Sequence, residues 1–180
     1  MWTRLGVEVE GVTDWVGDRD GRWFVLQTKS RQEKVLAGDL RARGIGYFLP
    51  LVRAVRSYGG RKAVVELPLF PGYLFLRGEL EDAYACDRTR RVASILPVHN
   101  QEKMNWELRN ISMAVGGGLS LDPYPYLHEG VRVEVHSGPF RGLQGLIDGR
   151  GNGGLLILQV HLLGRAVSME VDGSLLDVID

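Results

Sequence analysis

Apolar and polar residues follow two different periods before residue 115, and their order predicts one folded domain there. Short aromatic and β-branched runs predict strands at 22–27, 47–49, 73–77 and 94–97. Apolar residues spaced three or four positions apart predict helices at 31–43, 81–91 and 101–115. Alternation on both sides of Tyr58-Gly59-Gly60 predicts a hairpin with a glycine turn. The order of elements predicts an α+β fold, with one layer of helices on an antiparallel sheet.

The composition changes after residue 115, which predicts a second domain. Gly116-Gly117-Gly118 and Asp122-Pro123-Tyr124-Pro125 are typical of a connection, so we expect a flexible linker over residues 116–127. Five short runs separated by glycines then predict a small five-stranded β-barrel over residues 128–180. Glycine costs about 1 kcal/mol in a helix interior and valine favours strands, so we expect this segment to rest as a barrel.

Residues 1–20 are polar, acidic and dotted with glycine, and we expect a flexible leader there. Their acidic residues and the lack of a continuous apolar core exclude a secretory signal. The chain has no apolar run of about eighteen residues, the length that crosses a membrane. Cys86 is the single cysteine and forms no internal disulfide, as is usual in a reducing compartment. We therefore expect a cytoplasmic protein that does not span a membrane.

Charge is distributed unevenly along the chain. The formal net charge is zero, which excludes a polycation that coats nucleic acid indiscriminately. Between Lys29 and Lys62, however, there are nine basic residues and two acidic ones. Such a surplus is typical of a surface that meets phosphate or an acidic protein, and the alternative is ordinary solvated charge.

The residue types that carry enzyme chemistry are scattered. The histidines lack the spacing of metal ligands and a paired acid; they are His99, His128, His136 and His161. No histidine is positioned as a base for Cys86. The glycine-rich run 149–154 is followed by neither a lysine-serine pair nor a helix start, unlike a phosphate-binding loop. We therefore expect no catalytic activity, no metal and no cofactor.

Two motifs resemble the NusG family of transcription elongation factors. The first is Phe70-Pro71-Gly72-Tyr73-Leu74-Phe75, and the second joins Gly130-Val131-Arg132-Val133 to the run 137–145. They are similar to the family's NGN domain and KOW barrel, in the right order and at the right separation. The resemblance implies an NGN-like domain that binds RNA polymerase at residues 21–115, an SH3-like KOW barrel at 128–180, and a monomer.

In that family, an apolar depression of the NGN domain binds the clamp helices of the largest polymerase subunit and suppresses pausing and termination. The resemblance assigns this contact to Trp23, Phe70, Pro71 and Tyr73. Aromatic residues beside a turn fixed by proline offer a large contact area at low entropic cost, which agrees with such a role. The alternative is that Phe70 and Tyr73 belong to the hydrophobic core.

The resemblance implies a second contact at the hairpin and the start of the first helix, with upstream or non-template DNA or with the polymerase itself. A ring that can stack, placed among positive charges, is typical of a nucleic-acid contact, and solvated loop charge is the alternative. The residues concerned are Arg31, Arg53, Arg56, Tyr58, Arg61 and Lys62.

The family's KOW barrel holds a second protein, either the termination factor Rho or a small-subunit ribosomal protein. We expect Phe140 and Leu163 at that contact, with packing inside the barrel as the alternative. Tight turns or close backbone approaches are expected at Gly138, Gly142 and Gly145. The run 164–170 lacks the Thr-Pro pair of general family members, which favours a specialised, operon-specific antiterminator.

An RNA-binding ribosome or translation factor with a KOW domain is the alternative function. Its barrel would be basic, whereas residues 128–180 contain four arginines and seven acidic residues. This balance favours a protein partner for the barrel.

Overall fold

A computed structural model describes residues 3–11, 21–117, 121–148 and 154–180. The N-terminal strands are β1 (Thr3–Gly11), β2 (Arg22–Thr28), β3 (Gly46–Tyr58), β4 (Arg61–Pro68), β5 (Tyr73–Gly78) and β6 (Val92–Pro97). The helices are α1 (Glu33–Ala42), α2 (Leu80–Asp87) and α3 (Gln101–Gly116). The C-terminal strands are β7 (Asp122–Tyr124), β8 (Val131–Val135), β9 (Gln144–Ile147), β10 (Leu155–Val160), β11 (Arg165–Glu170) and β12 (Leu176–Val178).

The N-terminal sheet is antiparallel, with the strand order β1-β3-β5-β2-β6. β4 pairs with the part of β3 that extends beyond β5. Because side chains alternate across a strand, β2 directs Val25 to one face of the sheet and Leu26 to the other. Both side chains are fully buried, so each face of the sheet must be covered.

Helices cover both faces of this sheet. On the face of Leu26, α1 contributes Leu36 and Leu40 to one hydrophobic cluster. On the face of Val25, α3 contributes Leu108 and other apolar residues to a second cluster. The predicted combination of an antiparallel sheet with helices is confirmed, but the prediction of one helical layer is wrong. A second layer exists because α3 carries its own apolar stripe against a strand that is buried on both sides.

The helix boundaries differ from the predicted ones where the backbone turns left-handed. α1 begins at Glu33 rather than at residue 31, because Arg31 has a φ of 60°, outside the helical region. α2 ends at Asp87, and Arg90 then takes a φ of 61°. The predicted bounds of α3 agree with the structure, and the side chain of Asn100 caps its first turn.

The hairpin predicted around residues 58–60 is confirmed as β3 and β4. Gly59 and Gly60 have φ values of 54° and 82°, so both central residues of the turn are left-handed. This is the two-residue turn whose twist matches that of the flanking strands. Tyr58 and Arg61 pair across it at the tip.

Residues 3–11 form a strand where the sequence predicts a flexible leader. β1 pairs antiparallel with β3, placing Thr3 opposite Val55 and Gly11 opposite Phe48. Apolar and polar residues alternate through much of β1, a strand period that the acidic composition of the leader obscures. The remaining parts of the predicted leader, residues 1–2 and 12–20, lie outside the described residues.

The C-terminal sheet is also antiparallel, with the order β12-β8-β9-β10-β11-β7. β8 to β12 agree with the five predicted strands, and β7 is an addition. β7 lies in the segment predicted as a linker, where Pro123 pairs with Val167 and the preceding Leu121 is fully buried. Burial of Leu121 and pairing with β11 give the second half of that segment a defined structure. The glycine-rich run 149–154 lies largely outside the described residues.

One hydrophobic cluster joins the two halves of the molecule. It runs from Val25 in the N-terminal sheet through Leu108 in α3 to Leu156 in the C-terminal sheet. α3 therefore packs against both sheets. Among the described residues, no helix is long and apolar enough to cross a membrane.

Candidate functional site

The connection between β4 and β5, Phe70-Pro71-Gly72-Tyr73, has the features of a type II turn. Proline presets φ at the first central position, and Gly72 has the φ of 86° that the second position requires. The N–H of Tyr73 donates to the carbonyl of Phe70 (3.2 Å) and closes the turn. The N–H of Gly72 donates to the Glu33 carboxylate (2.8 Å), and its carbonyl accepts the N–H of Thr28 (2.8 Å). The start of α1 and the end of β2 thus hold the turn.

The four residues predicted at the polymerase contact divide into two exposed or half-buried residues and two buried ones. Pro71 is exposed and Tyr73 is half-buried. Phe70 is only 4% exposed, and its ring meets that of Phe75. Trp23 is 2% exposed. Pro71 and Tyr73 are therefore the members of the set with side-chain surface available to a partner.

Trp23 is held in place by polar groups as well as by packing. Its ring N–H donates to the side-chain oxygen of Asn105 (3.2 Å), and its main-chain N–H donates to Gln101 (2.6 Å). The guanidinium of Arg77 lies 5.2 Å from the centre of its ring. These contacts attach β2 to α3, so Trp23 positions the helix.

The hairpin tip gathers part of the predicted basic surface. The register places Tyr58 opposite Arg61 and Lys62 one pair further from the tip, and all three side chains are exposed. Arg53 is exposed but lies further along β3, and Arg56 is half-buried. The tip therefore combines one exposed ring with two cations, the arrangement that suits a nucleic-acid backbone with accessible bases.

Arg31 lies in a different basic group, formed by two neighbouring loops. The N–H of Lys29 donates to the carbonyl of Arg91 (2.8 Å), which brings the loop after β2 against the loop before β6. The guanidinium of Arg91 donates to the side chains of Gln32 and Asp39, both at 2.8 Å. The exposed cations that these contacts bring together are Lys29, Arg31, Arg88 and Arg90.

Sequence reasoning missed Arg88 and Arg90 as members of this surface. The density of arginines from residue 88 to 91 indicates a basic loop, but only the tertiary pairing shows which other loop lies beside it. Arg31 and Arg90 are the described non-glycine residues with positive φ. Such backbone is uncommon for a side chain with a Cβ, and both residues face solvent rather than the core.

The register places the turn, the hairpin and the basic loops at one end of the N-terminal sheet. Near the end of β2, Gln27 pairs with Tyr73 of the turn, and Thr28 pairs with Val92 at the start of β6. β3 and β2 are both antiparallel to β5, so β3 runs in the direction of β2 and continues past its end into the hairpin. Trp23 lies near the start of β2, towards the opposite end.

A separate group of polar contacts joins α3 to the C-terminal sheet. The ring N–H of Trp106 donates to the side-chain oxygen of Gln144 (2.9 Å), and the main-chain N–H of Gln144 donates to Asn110 (2.9 Å). The main-chain N–H of His161 donates to the Glu107 carboxylate (3.0 Å). Sequence reasoning missed this group. Polar residues within an otherwise apolar helical stripe are the pattern that indicates it.

Phe140 and Leu163, the residues predicted to hold a second protein, are half-buried and pack against the hydrophobic cluster that includes α3. A Cβ placed on Gly117, just after α3, would overlap the ring of Phe140. Leu162, beside Leu163, is 41% exposed. The exposed apolar surface near this position thus belongs to the neighbouring residue.

The three glycines predicted at turns of the C-terminal domain differ in their reason for being glycine. Gly138 and Gly142 have φ values of 86° and 89°, as the turn prediction requires. Gly145 lies inside β9, opposite Val133, rather than in a turn, so of the two expected reasons the close backbone approach is the one that holds. A Cβ there would lie 2.7 Å from the carbonyl oxygen of Ile157, because β9 and β10 approach each other closely.

The residues with reactive side chains are placed as structural ones. Cys86 is buried in the cluster under α1 and α2, and burial raises the pKa of its thiol to about 11, against a smaller lowering by Arg43. In the part of the chain that the structure describes, no three histidine, cysteine or acidic side chains form a group able to hold a metal ion.

Residues 21–112 match the family model described as transcription termination factor nusG. The chain belongs to the NusG family. The match covers β2 to α3, which includes the Pro71-Gly72 turn, the hairpin and both basic loops.

Relatives extend the likeness beyond the N-terminal domain. Three proteins named transcription termination/antitermination protein NusG are similar to this chain over most of their length. The protein of Borreliella burgdorferi is 24% identical over 83% of this chain and 94% of its own length. That of Lactococcus lactis is 27% identical over 85% and 90%, and that of Thermus thermophilus is 26% identical over 84% and 95%. A match over 83–85% of this chain extends past α3, so the likeness reaches into the C-terminal sheet.

Proposed function

We propose that this NusG-family chain is a transcription elongation factor that binds RNA polymerase and suppresses pausing and termination. The observation that carries the proposal is the near full-length similarity to proteins named for transcription termination and antitermination.

The polymerase contact that we propose is the Pro71-Gly72 turn, docked on the clamp helices of the largest subunit. The turn is rigid, because proline and a left-handed glycine define its backbone and Glu33 bonds to its N–H. Its exposed Pro71 and half-buried Tyr73 supply contact area with little entropy left to lose. Phe70 and Trp23 act from the core, by holding the turn and α3 in position.

The DNA contact that we propose is the basic end of the same sheet. Upstream or non-template DNA would meet the hairpin tip, Tyr58, Arg61 and Lys62, with Arg53 and Arg56 behind it. The loop group around Arg31 lies at the same end of the sheet. One strand of nucleic acid would therefore meet both sets of protein cations on one surface. Separated phosphate contacts of this kind position a protein without reading sequence.

For the C-terminal sheet we propose the family's KOW barrel and a second protein partner. Residues 128–180 contain four arginines and seven acidic residues, which favours a protein over RNA. Rho and a small-subunit ribosomal protein are the family's partners for this domain. The run 164–170 lacks the Thr-Pro pair, which favours antitermination, and we propose contact near Phe140 and Leu163.

The proposal is tested by elongation on a template with one defined pause site, using purified bacterial core polymerase. Addition of the protein is expected to shorten the pause, and Tyr73→Ala is expected to lose most of this effect. Tyr84→Ala is the matched control, since Tyr84 is an exposed tyrosine on α2. An unchanged pause with folded wild-type protein contradicts the proposal. If the protein leaves the pause unchanged and instead binds immobilised ribosomal RNA, a KOW-type RNA-binding factor is supported.

A further inference from the structure

The contact between α3 and the C-terminal sheet contains a buried carboxylate. Glu107 is 5% exposed, and its carboxylate accepts the main-chain N–H of His161 (3.0 Å). Asn110, one turn further along α3, is also 5% exposed and accepts the main-chain N–H of Gln144. Two side chains of α3 thus satisfy two backbone donors of the C-terminal half, one in β9 and one just after β10. A neutral amide meets one of these donors, and an ionisable group meets the other.

Burial of an ionised carboxylate needs more than one hydrogen bond. Transfer of a charge out of water is costly unless the charge is paired, and the usual response is that the group takes up a proton. The nearest helical cation is Lys103, one turn before Glu107, and its side chain is exposed. Desolvation raises the pKa of Glu107 to about 7, because burial outweighs the His161 hydrogen bond and the attraction of Lys103.

The groups that face Glu107 come from both elements. His161 lies directly across, and its ring nitrogen is bonded to the hydroxyl of Tyr126. Burial, with a smaller contribution from Glu107, raises the pKa of Tyr126, so its hydroxyl stays neutral at physiological pH. The charged or ionisable side chains around the contact are Glu102 and Lys103 on α3 and Tyr126, Arg132, Glu134 and His161 in the C-terminal half.

Water has a path to this carboxylate. A cavity of 460 Å³ lies between α3 and the C-terminal sheet, and Glu107, Lys103, Arg132 and His161 line it. Glu107 can therefore exchange a proton with solvent while the C-terminal sheet stays in place. A buried group without such a path would change its charge only after the contact opened.

We propose that protonation of Glu107 controls the docking of the C-terminal sheet on α3. The neutral carboxyl accepts the His161 N–H at low desolvation cost and favours the docked arrangement. The carboxylate is better solvated when α3 is exposed, so its formation favours release. This docking is an equilibrium between the two halves of the chain, and it does not depend on polymerase binding.

The direction of the pH effect follows from the two pKa values. An exposed glutamate has a pKa of 4.5, and docked Glu107 has a pKa of about 7. The docked form binds the proton more tightly, so its advantage is complete below about 4.5 and is lost as pH rises through about 7. With these values the docking equilibrium constant falls about tenfold between pH 6 and pH 8.

Amide hydrogen exchange of the full chain measures this equilibrium. The main-chain N–H groups of Gln144 and His161 donate to α3, so their protection factors, corrected for the intrinsic rate, report opening of the contact. Both are expected to fall about tenfold from pH 6 to pH 8. Amides in the centres of the sheets, such as those of Val25 and Leu158, should change much less over that range. A constant protection factor at Gln144 and His161, or none at either pH, overturns the proposal.

Variants separate Glu107 from the other ionisable groups. Glu107→Gln keeps an acceptor for the His161 N–H and is expected to abolish the pH dependence. Glu81→Gln, at an exposed position of α2 outside the cavity lining, and His161→Gln, which keeps the main-chain donor, are expected to retain it. If the pH dependence of the protection factors survives in Glu107→Gln, or disappears in His161→Gln, the proposal is overturned. Circular dichroism verifies that each variant is folded.

A direct titration needs no variant. The side-chain carboxyl carbon of Glu107, followed by carbon NMR in wild-type protein, is expected to titrate with a midpoint near 7. A midpoint near 4.5 overturns the proposal, because the carboxylate would then be as stable in the docked form as in water.

Discussion

The ring of Phe70 meets the ring of Phe75 edge to face, with centroids 6.2 Å apart. Phe70 begins the turn that carries Pro71 and Tyr73, and Phe75 lies in the centre of β5, so the contact fixes the turn on the sheet. The motif thus has one residue directed into the core, Phe70, and two that keep exposed surface, Pro71 and Tyr73. Substitution of the buried residue should therefore affect stability, and substitution of the residues with exposed surface should affect it much less.

Phe70→Ala is expected to lower the free energy of unfolding by about 3–5 kcal/mol, because it leaves a cavity beside Phe75. Tyr73→Ala, at a half-buried position, should cost only about 1 kcal/mol. Urea denaturation followed by circular dichroism measures both. Equal losses of unfolding free energy in the two variants would show that Phe70 and Tyr73 contribute equally to the core.

Gly145→Ala is expected to destabilise the C-terminal sheet by about 1–3 kcal/mol. A Cβ there would lie 2.7 Å from the carbonyl oxygen of Ile157, and backbone cannot move aside as a side chain end can. Gly38→Ala is the comparison, since nothing lies within 4 Å of its Cβ position in α1 and the change should stabilise by about 0.5–1 kcal/mol. Thermal unfolding measures the change in stability of both variants relative to wild type. A neutral Gly145→Ala would contradict the close approach of β9 and β10.

Cys86 is expected to resist alkylation in the native protein. Burial raises its pKa to about 11, so at pH 8 the reactive thiolate is about a hundredfold rarer than for a thiol with a pKa of 9.0. The rate should rise with pH up to about 11. Iodoacetamide labelling measured by mass spectrometry, with and without urea, tests this. Equally fast labelling under both conditions would place Cys86 at the surface.

The double variant Arg61→Ala/Lys62→Ala is expected to weaken DNA binding and to reduce its salt dependence. If both cations contact phosphates, the slope of log K against log salt should fall by about 2 in magnitude. Arg165→Ala, which removes an exposed cation from the C-terminal sheet, is the control. Fluorescence anisotropy with a short duplex at several salt concentrations gives the slope. An unchanged slope would show that the hairpin charges are merely solvated.

Local pattern was sufficient for much of the fold. The apolar run of β2, the glycine pair at residues 59–60 and the Pro71-Gly72 pair each specify a strand or a turn through the backbone preferences of a few neighbours. β1 was missed because its acidic composition outweighed its alternation. For Gly145 the sequence leaves a turn and a close backbone approach both open, because the φ of a glycine and the distance to the next strand do not appear in sequence.

The sites depended more strongly on tertiary structure. That Phe70 is buried follows from Phe75 and α3, which are distant in sequence. The basic loop group needs the Lys29–Arg91 hydrogen bond to bring its two loops together. Glu107 stands on a helix whose outer face would normally meet water, and only the packing of the C-terminal sheet turns it into a buried group.

The most direct test of the polymerase proposal is the affinity of the full chain for bacterial core RNA polymerase, measured by biolayer interferometry. Wild-type protein is expected to bind. Tyr73→Ala is expected to bind at least about tenfold more weakly, because it removes a central aromatic anchor. Tyr84→Ala is expected to bind like wild type. Folded wild-type protein that does not bind would contradict the account, as would equal weakening by Tyr73→Ala and Tyr84→Ala.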